Sequence, residues 1–172
     1  MTSRNSSEKN GLVIADSGAI FSLAVIDQLE ILNALFDDIS IPSAVWQEIT
    51  LDKTTDYYIQ IYHFFRDRTK LIKGLNTLTP LMDYGESECV LLYKESEADF
   101  LLIDDRKARK IAENFGIHCI GTLGILSVAR NKNLIPALKP LFEMLLANKR
   151  FYSIKLLNSL LAKHNEDMIA RW

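Results

Sequence analysis

Two short apolar runs, Leu12-Val13-Ile14-Ala15 and Phe100-Leu101-Leu102-Ile103, each end in carboxylates, Asp16 after the first and Asp104 with Asp105 after the second. Runs this short, unbroken by polar residues and followed by segments with apolar residues three and four apart, predict buried parallel strands that lead into amphipathic helices. A strand over 12–16 turns at Ser17-Gly18 into a helix carrying Ile20, Phe21, Leu23 and Ala24, and a short helix covers 29–35. Ile39 and Ile41 mark a brief strand. Pro42 then suits the first turn of a helix, because its missing N–H would have no partner there; that helix carries Val45, Trp46, Glu48 and Ile49. A helix over 55–66 follows, with Leu71 and Ile72 as an edge strand. Gly85 opens a helix with Cys89, Val90, Leu92 and Tyr93 facing inward, and the strand ending at Asp104 comes after it. The next helix, 108–115, is closed by Gly116 in the usual C-terminal position, and residues 117–120 form the last strand. Beyond Gly121 the pattern predicts three more helices, over 122–131, 136–147 and 153–163. The stripe of Leu156, Leu157, Leu160 and Leu161 reads as core packing, with a dimer or partner groove as the alternative.

This alternation is the signature of an α/β domain whose helices cover both faces of a parallel sheet. In such sheets ligands gather beyond the carboxyl ends of the strands, and there the acids stand. Each acid alone has a plain structural reading. Asp16, and Asp104 or Asp105, could cap the helices that follow them; Glu86 and Glu88 lie in a first helical turn, where the helix dipole favours negative charge; Glu48 could be solvated surface. Together they sit where strands give way to helices, so they share one rim. Like charges in close company raise one another's pKa, and a protein that assembles them commonly neutralises them with a cation. The set therefore reads as a Mg2+ or Mn2+ site.

Composition narrows the picture without choosing a substrate. The 172 residues fit a single domain over 11–172 behind a flexible N-terminal tail, 1–10. The tail lacks the apolar core of a signal peptide, and no apolar stretch approaches the roughly 18 residues of a membrane span, so the chain is expected to be cytoplasmic with no membrane contact. Cys89 and Cys119 show no metal or redox spacing and read as free thiols. A net charge of −2 gives no global attraction to nucleic acid, so a polyanion must be held by local basic residues or by metal.

The residues resemble PIN domains. Leu12-Val-Ile-Ala-Asp-Ser-Gly-Ala resembles the family's opening strand, where an Asp followed by Ser or Thr begins the acidic site. Ile41-Pro-Ser-Ala-Val-Trp-Gln-Glu-Ile is similar to the segment carrying the second acid, here Glu48. Gly85-Glu-Ser-Glu-Cys-Val resembles the third-acid helix start, with Glu88 the closer match and Glu86 its assistant. Leu101-Leu-Ile-Asp-Asp-Arg-Lys-Ala-Arg is similar to the last acidic strand end, where Asp105 or Asp104 completes the set. Gly121-Thr-Leu-Gly-Ile-Leu and the helices after it resemble a PIN-like subgroup related to toxin ribonucleases of toxin-antitoxin pairs. The resemblance implies a three-layer α/β/α fold with a central parallel sheet of four or five strands and additional C-terminal helices. It also implies metal-dependent hydrolysis of RNA, a homodimer and an antitoxin-type partner. Glu88 departs from the family pattern, which often places Asp there.

Asp16 and Asp105 are then expected to ligate metal directly, with Glu48, Glu88 and Asp104 binding through water, orienting the nucleophile or holding a second ion. Ser17 and Thr122 are expected to hydrogen-bond the carboxylates or a phosphate, and Arg106 and Arg109 to hold the RNA backbone. Lys107 and Lys110 read as a solvated helix face. Trp46 and Tyr84 could stack unpaired bases, although aromatics at helical spacing are more often core. Two other classes compete: a non-catalytic PIN-like module that binds nucleic acid or protein, and an aspartyl phosphatase. The latter is disfavoured because Asp16-Ser17-Gly18 lacks the second Asp two positions on.

Overall fold

The computed structural model describes residues 9–170. Along the chain lie β1 (Leu12–Ala15), α1 (Ser17–Val25), α2 (Ile31–Leu35), β2 (Asp38–Pro42), α3 (Ser43–Ile49), α4 (Tyr58–Phe65) and β3 (Thr69–Lys70). They continue with α5 (Tyr84–Glu95), β4 (Phe100–Leu102), α6 (Arg106–Asn114), β5 (Cys119–Ile120), α7 (Thr122–Asn131), α8 (Lys139–Ala147) and α9 (Ile154–Lys163). The five strands form one parallel sheet in the order β3-β2-β1-β4-β5. Val13, Ile14 and Ala15 of β1 are all fully buried. Because successive side chains of a strand point to opposite faces, helices must cover both, which gives the three-layer α/β/α arrangement.

The order places the functional rim. From β1 the chain builds outward through β2 to β3, then returns to lay β4 and β5 on the other side, so its direction reverses between β1 and β4. Those two strands pair with Ala15 opposite Leu102, and the Asp16 amide donates to Leu102 O at 2.9 Å. A crevice forms at such a switch point beyond the strand ends, and Asp16, Asp104 and Asp105 flank it.

Several boundaries differ from the sequence reading. The edge strand is Thr69–Lys70 rather than Leu71 and Ile72: the Ile41 amide donates to Arg68 O at 3.0 Å, the ladder ends where β2 turns into α3 at Ser43, and Leu71 projects into solvent. Pro42 closes β2 and stands as N-cap of α3 instead of in its first turn. The helix expected from residue 136 starts at Lys139, where the Glu166 carboxylate accepts from the amides of Leu138 and Lys139. Gly116 follows the C-cap of α6 with φ of 76°, a conformation that spares glycine the usual Cβ clash. In α9, Leu157 and Leu161 are fully buried and Leu156 is exposed. The expected tail lies mostly outside the described residues, but Asn10 is pinned, its amide and side chain both donating to Leu35 O.

Candidate active site

Helix starts build the site. Asp16 N-caps α1, its Oδ2 accepting from the Gly18 amide at 3.2 Å, and Asp105 N-caps α6, its Oδ1 accepting from the Ala108 amide at 2.7 Å. Glu86, three residues after the N-cap Asp83 of α5, reaches back to the Asp83 amide at 3.2 Å in a capping box. Three helix N-termini thus converge, and their positive ends favour carboxylates there. Glu48 comes from α3, and its carboxylate lies so close to Gly85 that a Cβ on that glycine would collide with it. Asp16, Ser17, Glu48, Asp83, Glu86, Asp104 and Asp105 line one open cavity of about 520 Å3, closed on another side by Arg150, Phe151 and Tyr152.

Charge is poorly neutralised in this cavity. Asp16 is 5% exposed; burial, reinforced by the charges of Glu86 and Glu48, pushes its pKa up to about 7 although the Gly18 amide pulls it down. Burial also raises Glu86, together with the charges of Asp105, Asp83 and Glu48. None of the ion pairs among the described residues engages any of these carboxylates.

Asp104 plays another part. Its Oδ1 accepts from the Thr122 amide and its Oδ2 from the Thr122 hydroxyl and the Tyr152 hydroxyl, each at 2.7 Å. It thereby caps α7, whose own N-cap is a glycine, and ties the segment before α9 to the carboxyl end of β4. Burial and the Asp104 charge raise the pKa of Tyr152, which keeps its phenol protonated and donating.

On α5 the structure turns Glu86, not Glu88, to the cavity. Glu88 is buried away from the cavity, where its Oε2 accepts from the Ala44 amide at 2.9 Å and caps α3. Residues two apart on a helix lie about 200° apart around its axis, so the helix that buries Glu88 beside Cys89 turns Glu86 to the acids. Arg109 is engaged elsewhere, with Nε paired to Glu113 at 3.0 Å and Nη2 donating to Cys119 O. Neither Arg109 nor Arg106 lines the cavity, whereas Lys107 borders a smaller cleft beside Glu86 and Asp105. Trp46 packs on Tyr62, and Tyr84, though exposed, also lies off the cavity lining. Thr122 is buried on Asp104 and Ser17 lines the cavity. Arg150, Phe151 and Tyr152 carry no sequence signal, being brought in from a loop between α8 and α9.

The donor set suits a divalent cation. Every candidate is a hard carboxylate oxygen, the preference of Mg2+ and Mn2+, and the burial that raises Asp16, with the smaller effect of the Glu86 and Glu48 charges, is a cost that a cation would relieve. Among the described residues no three His, Cys, Asp or Glu side chains converge into a preformed metal cage. The fit is to an ion that retains several waters and takes only one or two direct carboxylates.

A parallel α/β/α domain with an acid-lined crevice at its topological switch point is the class that fold and site define. The sequence matches the model of DUF3368, a PIN-domain family, over residues 12–166, and the chain belongs to that family, whose fold is of the nuclease type. No curated protein and no solved structure matches it significantly. No helix among the described residues is long and apolar enough to cross a membrane.

Proposed function

We propose that the protein is a metal-dependent ribonuclease that hydrolyses RNA phosphodiester bonds at the cavity between β1 and β4. One observation carries the reading: Asp16, Glu48, Glu86 and Asp105, from four separate segments, face a single cavity, and no Lys or Arg among the described residues is paired to them. An idle rim of this kind would be relieved by substitution, since burying and crowding carboxylates destabilises the fold. This weighs against the non-catalytic module.

Asp16 and Asp105 would hold the ion, with Glu48 and Glu86 binding its waters. When bound, the ion lowers the pKa of a water and offsets charge that develops on the phosphate oxygens. The chain's own groups set the geometry. The capping bonds to Gly18 and Ala108 fix one oxygen each of Asp16 and Asp105. Glu48 or Glu86 accepts the proton of the attacking water, a task suited to Glu86 because its pKa is raised. Ser17, which lines the cavity, would hydrogen-bond a phosphate oxygen. Asp104 acts through position, holding α7 and Tyr152 against the rim. The toxin role, an inhibitory partner and a homodimer rest on the family resemblance alone.

The test is incubation of purified protein with labelled single-stranded RNA, with and without Mg2+ or Mn2+, and with Asp16→Asn as control. Metal-dependent cleavage lost in the variant is expected; binding without cleavage would instead favour the interaction module, and phosphate release from small monoesters a phosphatase.

A further inference from the structure

The segment Arg150 to Tyr152 walls the acidic cavity yet supplies no candidate ligand for the cation. Its outer side chains are fixed. Arg150 donates from Nη2 to Gly18 O at 2.6 Å and from Nε to Ser22 Oγ at 3.0 Å, while Tyr152 donates to Asp104. A guanidinium carries five N–H donors, and none of the ion pairs among the described residues spends the remainder on a carboxylate. Between these anchors Phe151 is 83% exposed. It lines both the acidic cavity and an adjoining, mostly apolar cleft of about 350 Å3 bordered by Glu143, Leu146, Ala147, Ile154 and Ile169.

A guanidinium held in an acidic cavity without pairing matches a phosphate, whose oxygens it can grip in a fork. An aromatic ring held at the same mouth matches the face of an unstacked base. We infer that Arg150 and Phe151 form a substrate-binding strap that selects unpaired RNA: Arg150 takes the non-bridging oxygens of a phosphate entering the cavity, and Phe151 stacks on the base beside it. The inference rests on the ribonuclease reading and adds two residues that contact the substrate. In a duplex both faces of an internal base are already stacked, so Phe151 has nothing to receive.

Fluorescence anisotropy in Ca2+ tests it, with a labelled oligouridylate of about eight nucleotides and with the same strand carrying one abasic nucleotide at each position in turn. Phe151→Ala is expected to weaken binding of the intact strand about tenfold. At one position the abasic strand loses as much with the wild-type protein and nothing further with the variant, a coupling that a purely structural Phe151 would not show. Arg150→Lys keeps the charge but not the fork, and is expected to weaken intact and abasic strands alike. Additive losses at every position, an inert Arg150→Lys, or tighter binding of the annealed duplex overturn the strap. Coupling without cleavage in Mg2+ or Mn2+ retains the strap and overturns the ribonuclease; cleavage with additive losses does the reverse, and absence of binding overturns both.

Discussion

The carboxylate of Glu48 occupies the space that a Cβ on Gly85 would fill, so α3 and α5 meet with an acid of one seated on the N-terminal turn of the other. Gly85→Ala should therefore displace Glu48 without unfolding the helix. Alanine is the better helix former by about 1 kcal/mol, which offsets part of the clash, whereas a displaced acid costs about a hundredfold in rate. Thermal melts and cleavage rates of one preparation check this; a fully active variant would refute the role of Glu48.

Asp16 makes stability pH-dependent in a definite direction. Its folded pKa, about 7, lies above the ordinary 3.8, so its neutral form stabilises the metal-free fold at low pH, and that contribution is lost as pH rises from about 4 through 7. Asp16→Asn should raise the stability of the protein in EDTA at pH 8 by about 2–4 kcal/mol and abolish cleavage. Melts across pH, with and without Mg2+, measure it; Mg2+ should stabilise the wild type above pH 7 and leave the variant unmoved.

Adjacent aspartates should respond in opposite ways. Asp104 accepts three hydrogen bonds, and Asp104→Asn turns an NH2 toward one of those donors, for a loss of about 1–3 kcal/mol. Asp105→Asn keeps an equally good N-cap and should fold normally while losing most cleavage. Equal melting temperatures for the two variants would contradict the division of labour.

The two glutamates of α5 provide a similar contrast. Glu88→Gln retains an oxygen for the Ala44 amide, so cleavage should stay within about threefold of wild type, while Glu88→Ala leaves that buried donor unsatisfied and costs about 1–3 kcal/mol. Glu86→Gln should lower cleavage at least about tenfold with little change in melting. Steady-state rates on the matched pair decide it.

The sheet and most of the rim were legible because their signals are local. Apolar runs ending in Asp16 and in Asp104-Asp105 mark buried strands and their carboxyl ends without reference to any other part of the chain. Glu86 was also within reach: Asp83-Tyr84-Gly85-Glu86 has the spacing of a capping box, which sets the helix start and with it the phase. Of the two glutamates that the resemblance offers, Glu88 is the one buried against the Ala44 amide.

The sequence by itself determined the alternation of elements, the parallel sheet and the arrival of acids at strand ends, because hydrophobic period and capping chemistry act over a few residues. Only the tertiary structure decided that β1 and β4 are neighbours, that Glu88 is spent on capping α3, and that Arg150, Phe151 and Tyr152 complete a cavity begun at Asp16. Those facts depend on how distant segments pack: Tyr152 reaches Asp104 across 48 positions and Arg150 reaches Gly18 across 132, separations at which no periodicity in the chain carries information.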